Sequence, residues 1–151
     1  MSLSEQDKFS YDKLSRREIR SLIFHLLYAA EASSYDTSLN SIIDNFNRGL
    51  DMDIPLDCEA ATIAKAVIDD RVRLDKQIEP LLDNWRLERV GICTKLILRL
   101  SVWELENTDI ADNIVINEAI ELAKCFSEKD AYRFINGILD EICKQIKDCC
   151  A

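Results

Sequence analysis

The sequence predicts an all-α protein. Only three glycines and two prolines occur in 151 residues, so few positions interrupt a helix. Apolar residues recur at three- and four-residue steps along almost the whole chain, which is the spacing of one helix face. Hydrophobic residues make up 48% of the chain, enough for a core, and the length suits one domain. We therefore expect a single helical domain over residues 15–148, preceded by a flexible polar lead-in, residues 1–14.

The first predicted helix begins at Ser15, because Ser15 and Glu18 have the spacing of a capping box. At 100° per residue, its aliphatic row lies on one side. The outward face then carries two arginines and two aromatic residues, Arg17, Arg20, Phe24 and Tyr28. One interpretation is a solvated charged face with the aromatic rings, Phe24 above all, packed under another helix. The other is a surface for single-stranded nucleic acid, where arginines hold phosphates and rings stack on bases.

Five further helices follow from the periodicity. They cover residues 37–48 with Gly49 as the C-terminal stop, a stretch from near Pro55 toward Pro80, and residues 86–107, 114–126 and 129–147. Gly137, inside the last of them, is expected to mark a close approach between helices. Arg99 lies within the apolar run "LILRL" and needs a carboxylate partner if it is buried, with Glu104 or Glu118 as candidates. Trp85 and Trp103 are expected to be core or half-buried anchors.

The last predicted helix offers a second surface where cations lie beside an aromatic ring. Its core row runs from Ile135 to Ile146, with Arg133 and Asp130 opposite and Phe134 on a flank. Lys124 and Lys129 bracket the turn that precedes this helix.

The acidity of the chain is regional. The formal net charge is -9, but residues 31–70 hold two basic and nine acidic residues, and residues 101–123 hold six acidic residues and no basic one. Residues 71–100 hold seven basic and four acidic residues. Because fields are screened over about 10 Å at ordinary salt, a locally basic surface can still bind a polyanion.

The chemistry-bearing motifs of enzymes and metal proteins are absent from the sequence. It contains no glycine-rich phosphate loop, no metal-ligand cluster and no nucleophile elbow, so we predict no catalysis, no cofactor and no metal. The six cysteines form no C-x-x-C pair. Cys93, Cys125 and Cys143 lie within apolar helical patterns, so we expect them to be buried as small hydrophobic residues. Without an export signal, these thiols indicate a reduced, cytoplasmic protein with no membrane span.

Three stretches of this chain resemble the NusB family of bacterial transcription antitermination factors. "INEAIELAKCFSEKDAYRFINGILDEI" is similar to the C-terminal signature of the family, and "TKLILRLSVWEL" to the helix that precedes it. "SRREIRSLIFHLLY" resembles the arginine-rich first helix. The resemblance implies two small helical bundles packed into one domain of about six to seven helices.

The resemblance also implies function without catalysis. Such a protein binds the boxA element of ribosomal RNA leader transcripts together with NusE, a small-subunit ribosomal protein, and the pair helps RNA polymerase to read through terminators. The partner protein would use the helix that begins near Glu88. The RNA surface would comprise Arg16, Arg17, Arg20 and Tyr28 in the first helix, and Lys124, Lys129, Asp130, Arg133 and Phe134 in the last helix and the turn before it.

The sequence departs from the family pattern at two places in the first helix. Glu18 interrupts the basic cluster, and Phe24 stands where a smaller residue is usual. The low pI, about 4.6, suggests weak RNA affinity without the basic partner. Two alternatives stay open: a NusB-like RNA-binding module of a ribosomal RNA cytosine methyltransferase, and a helical interaction domain that has lost RNA binding. A homodimer also stays open.

Overall fold

The computed structural model describes residues 9–82 and 89–149. All regular structure in these two ranges is helical, without a strand, which confirms the all-α prediction. The fully described elements are the short 3-10 helices Tyr11–Lys13 and Glu79–Leu81 and seven α-helices. These are α1 (Arg16–Ala32), α2 (Leu39–Gly49), α3 (Glu59–Asp69), α4 (Arg71–Ile78), α5 (Ile92–Asn107), α6 (Asp112–Phe126) and α7 (Ala131–Cys149).

The chain divides into two compact helical units, with the boundary between Ile68 and Asp69. The first unit contains α1, α2 and α3, and α1 packs against α2. The second unit contains α4 to α7, in which α5, α6 and α7 all pack against one another. Within the described ranges, no helix is long and apolar enough to span a bilayer.

Helix α1 begins with the predicted capping box. The backbone N–H of Glu18 donates to Ser15 Oγ at 3.1 Å, and the backbone N–H of Ser15 donates to Glu18 Oε1 at 3.0 Å. The pKa of Glu18 is lowered, because hydrogen bonds from the Ser15 backbone N–H and from the Ser15 side chain favour its carboxylate form. The cap therefore fixes the start of the helix that carries the arginine cluster.

Removing the hydroxyl that caps α1 should destabilise the protein measurably. We expect Ser15→Ala to lower the free energy of unfolding by about 1 kcal/mol, because one helix N–H loses its acceptor. Thermal unfolding at pH 7 would show this as a fall in Tm of about 2–4 °C. Ser10→Ala is the matched control, since Ser10 precedes a 3-10 helix without a side-chain cap, and it should leave Tm unchanged.

The same capping box has a pH dependence of defined sign. Because the folded-state pKa of Glu18 is lowered, its stabilising contribution is present above the unfolded pKa and is lost as pH falls through the folded pKa. Glu18→Gln should therefore cost less stability at pH 3 than at pH 7. An equal cost at both pH values would contradict the capping role of the carboxylate.

The predicted third helix is in fact two helices. Asp70 has φ -98° and ψ 5°, which breaks the hydrogen-bond ladder between α3 and α4. Because Val67, Leu74 and Ile78 are all buried at helical spacing on both sides of this residue, the periodicity runs through the break. The chain turns at Pro80 into a 3-10 helix, as the proline predicts.

Other expectations about single residues had mixed outcomes. Helix α2 ends at Gly49 as predicted, although the left-handed residue that follows is Asp51, with φ 52°. Gly137 is exposed, and a Cβ there would meet nothing within 4 Å, so the predicted close helix approach is wrong. Trp103 is half-buried, as expected, and Trp85 lies outside the described residues.

The cysteines differ in how far they are buried. The described ones are free thiols, and Cys143 is buried, with a pKa raised to about 11, mainly because burial disfavours the thiolate. Cys93 is half-buried, and burial raises its pKa as well. The predicted burial of Cys125 is wrong, since this residue near the end of α6 is exposed; the apolar row of α6 ends at Leu122 and Ala123.

Candidate nucleic-acid interface

The outward face of α1 is narrower than the sequence predicts. Phe24 is only 2% exposed, so its predicted place on that face is wrong, and packing inside the protein is the correct alternative. The buried residues of α1 cover an arc of about 200° at 100° per residue. Phe24 is buried because this arc is wide enough to include it. The six buried residues are Leu22, Ile23, Phe24, Leu26, Leu27 and Ala30.

Arg17 and Tyr28 remain on the outward side of α1, whereas Arg20 falls inside the arc of buried residues. Arg17 is exposed and Tyr28 is 44% exposed, while Arg20 is half-buried because it lies within the apolar arc, one turn before Phe24. The Tyr28 ring lies 6.5 Å from the Phe24 ring, centroid to centroid, with the planes tilted by 43°. Phe24 therefore supports the exposed ring from below. From Arg17 to Tyr28 the face extends about 16 Å along the helix axis.

Arg16, the first residue of α1, is already paired. Its Nη1 donates to both carboxylate oxygens of Glu59 at 3.0 and 2.8 Å. The two side chains are 81% and 51% exposed, so the pair contributes no more than about 1 kcal/mol. An external anion can therefore compete with Glu59 for this guanidinium.

His25 lies beside this face as an ordinary helix residue. It is exposed, and its Nδ1 lies 2.7 Å from the carbonyl oxygen of Ser21, one turn earlier. Its ring meets Phe24 edge to face at 5.6 Å.

In the second unit, the predicted residues gather at the turn between α6 and α7. Lys124, Lys129, Asp130 and Arg133 are exposed, and Phe134 is half-buried. Asp130 has φ 67°, a left-handed conformation that aspartate tolerates better than most residues. Its carbonyl oxygen accepts the backbone N–H of Arg133 at 3.2 Å, which directs the turn into α7.

Tyr132 also belongs to this cluster, although the sequence did not single it out. The Nζ of Lys124 lies 5.4 Å from the centroid of its ring, and the guanidinium carbon of Arg133 lies 5.7 Å from it. Arg133 Nε also donates to the Tyr132 hydroxyl oxygen at 3.2 Å, and this bond is the main reason that the pKa of Arg133 is raised. Two predicted RNA-binding cations therefore share one ring.

A cavity of about 240 Å³ opens beside the same turn. Lys129, Asp130 and Phe134 line it together with Arg89 and Gly91. Its volume is below the roughly 300 Å³ at which small-molecule sites begin, so it suits a fragment the size of a base. Thr94, which also lines the cavity, donates from Oγ1 to Ser127 Oγ at 3.2 Å and so ties the start of α5 to the residue that follows α6.

The predicted partner-binding residue Glu88 lies outside the described residues. Across residues 9–82 and 89–149, no group of three or more metal-ligating side chains occurs. Each of the two helical units carries its own cluster of exposed cations beside an aromatic ring, and such groups bind anions and bases by contact.

Comparison with known proteins shows the family. A sequence model of the NusB family matches residues 17–144. The chain is 39% identical over 141 residues to the transcription antitermination protein NusB of Geotalea uraniireducens, covering 89% of this chain and 97% of that protein. It is 36% identical over 135 residues to the protein of the same name from Macrococcus caseolyticus, covering 87% and 98%.

A solved structure of NusB from T. maritima superimposes with a TM-score of 0.76 at 30% identity, covering 88% of this chain and 93% of that one. This similarity extends over both helical units and agrees with the predicted fold. The chain therefore belongs to the NusB family: it is a transcription antitermination protein and not an enzyme.

Proposed function

We propose that this protein binds boxA-type single-stranded RNA of ribosomal RNA leader transcripts in the cytoplasm, together with the ribosomal protein NusE. In this proposal the assembled complex joins RNA polymerase and promotes transcription through terminators. The observation that carries the proposal is the pairing of exposed cations with accessible aromatic rings in each helical unit. Unpaired bases are held in this way, through phosphate contacts and stacking.

Each unit contributes its own contacts. On α1, Arg17 and Arg20 take phosphates and the exposed ring of Tyr28 stacks on a base. At the turn before α7, Lys124, Lys129 and Arg133 take phosphates, while the cavity beside Asp130 and Phe134 takes a base. Carboxylates such as Asp130 accept hydrogen bonds from the amino groups of bases, which gives the site a source of sequence preference.

The basic partner supplies charge that this chain lacks. With a net charge of -9, the isolated protein repels RNA everywhere except at its cationic clusters. We propose that NusE docks near Glu88 and extends the positive surface along the RNA. The match to antitermination proteins over 97–98% of their length favours this function over the methyltransferase module.

A fluorescence anisotropy titration tests the proposal. Labelled boxA-type RNA and a scrambled RNA of equal length are each titrated with the protein, with and without NusE. We expect tighter binding of the boxA-type RNA and a further gain with NusE. The slope of log Kd against log salt should also be steeper for the complex, because more phosphates are neutralised. Equal affinity for both RNAs in all four titrations would overturn the proposal.

The ion pair at the start of α1 gives a gain-of-affinity prediction. We expect Glu59→Gln to tighten RNA binding about twofold, because Arg16 loses an internal competitor and becomes available to a phosphate. Asp44→Asn is the matched control: it removes the same charge from an exposed pair with Arg48, 2.8 Å away on α2. If both variants gain equally, the gain reflects net charge alone and Arg16 takes no part.

A further inference from the structure

The side chain of Tyr132 contacts two cations that come from different helices. Lys124 belongs to the last turn of α6, and Arg133 to the first turn of α7. The ring is half-buried, so it is fixed by the protein while both cations remain exposed. The Nζ of Lys124 also lies 4.0 Å from Glu121 Oε1, a distance at the limit of an ion pair.

Long cationic side chains lose rotamer freedom when they bind a phosphate. A contact that already holds them near the bound geometry reduces this loss and tightens binding without touching the ligand. The Tyr132 ring attracts both cations through its π face, and its hydroxyl fixes the orientation of the Arg133 guanidinium through Nε. The Arg133 side chain is exposed, so a phosphate can reach the guanidinium.

We propose that Tyr132 is a positioning residue, which holds Lys124 and Arg133 in place for adjacent phosphates of the bound RNA. This inference rests on the proposed function for its ligand. It differs from a direct role, in which the Tyr132 ring would stack on a base. In the positioning role, the effect of the ring depends on the presence of the two cations.

Two substitutions separate the contribution of the Tyr132 ring from that of its hydroxyl. Tyr132→Leu removes the ring and the hydroxyl, and we expect about fivefold weaker binding of boxA-type RNA. The slope of log Kd against log salt should fall by about 0.7 for each phosphate contact that is lost, so by up to about 1.4. Tyr132→Phe keeps the ring beside Lys124 but removes the hydrogen bond to Arg133, and the slope should fall by about 0.7.

A background that lacks both cations decides between positioning and stacking. In Lys124→Ala, Arg133→Ala protein, a further Tyr132→Leu change should leave the Kd unaltered. Weaker binding in that background would overturn the proposal. So would a loss of affinity at unchanged salt slope in the single variant, or full affinity and slope in Tyr132→Leu.

A measurement without RNA keeps this inference separate from the proposed function. Nitrogen-15 relaxation of the Arg133 Nε–Hε group reports its motion on the picosecond-to-nanosecond scale. We expect greater motion in both Tyr132 variants, and unchanged motion would overturn the positioning role. If the unaltered protein does not prefer boxA-type RNA, the proposed function fails. The relaxation measurement still shows whether Tyr132 restricts the motion of Arg133.

Discussion

Arg99→Ala is expected to lower the free energy of unfolding by about 3 kcal/mol, which corresponds to a fall in Tm of about 6–12 °C. The Arg99 side chain in α5 is only 6% exposed. Its Nε and one terminal nitrogen each donate to a separate oxygen of Asp75 in α4 at 2.7 Å. Loss of the guanidinium leaves this carboxylate without its partner in a largely dry environment, and it also removes the packing of the arginine stem.

Arg48→Ala is the control for this prediction. Arg48 pairs with Asp44 at 2.8 Å, but the two side chains are 78% and 59% exposed. Removal of this pair should cost no more than about 0.5 kcal/mol. Urea unfolding of both variants measures the difference. A cost below about 1 kcal/mol for Arg99→Ala would show that the buried pair contributes little to the stability of the second unit.

The combined variant Arg17→Ala, Arg20→Ala, Tyr28→Ala is expected to bind boxA-type RNA at least about 100-fold more weakly. Stacking on one aromatic ring contributes about 1–3 kcal/mol, and each 1.4 kcal/mol is tenfold in Kd. The two lost arginines add to this and should lower the salt slope by about 1.4. Because Arg17 and Tyr28 are exposed and Arg20 is half-buried, with none of the three in the buried core, circular dichroism should show an unchanged fold.

Matched variants assign this loss to its components. Tyr28→Phe retains a stacking ring and should bind almost as well as the unaltered protein. Arg48→Ala removes one exposed cation from α2, outside the proposed interface, and should weaken binding far less than Arg17→Ala. Equal effects of the two arginine substitutions would mean that the RNA responds to net charge rather than to the α1 face.

The sequence predicts the helices well where a local signal exists. The Ser15 and Glu18 pair marks the start of α1 because a capping box needs only four consecutive residues. The sequence does not predict the break between α3 and α4 at Asp70, because a single break in the backbone leaves the apolar spacing on both sides intact. Helix ends and breaks of this kind depend on tertiary packing, which periodicity does not record.

The candidate interface shows the same limit. The helical angle alone predicts that Arg17 and Tyr28 face outward. The width of the apolar arc, which includes Phe24, depends on which other elements cover α1. Tyr132 was missed because its significance lies in a contact across the turn, with Lys124 eight positions earlier. Its only sequence signal is a second aromatic residue two positions before Phe134, next to Arg133. The sequence also misses Asp75 as a partner of Arg99, because Asp75 lies in a different helix, 24 positions before Arg99.

Chemical shift mapping shows directly whether RNA contacts the cationic clusters of α1 and of the α6–α7 turn. Nitrogen-15-labelled protein, in complex with unlabelled NusE, is titrated with boxA-type RNA. We predict the largest shifts around Arg17, Arg20 and Tyr28 and around residues 124–134, and much smaller shifts with scrambled RNA. Shifts confined to other surfaces, or equal shifts with both RNAs, would contradict it.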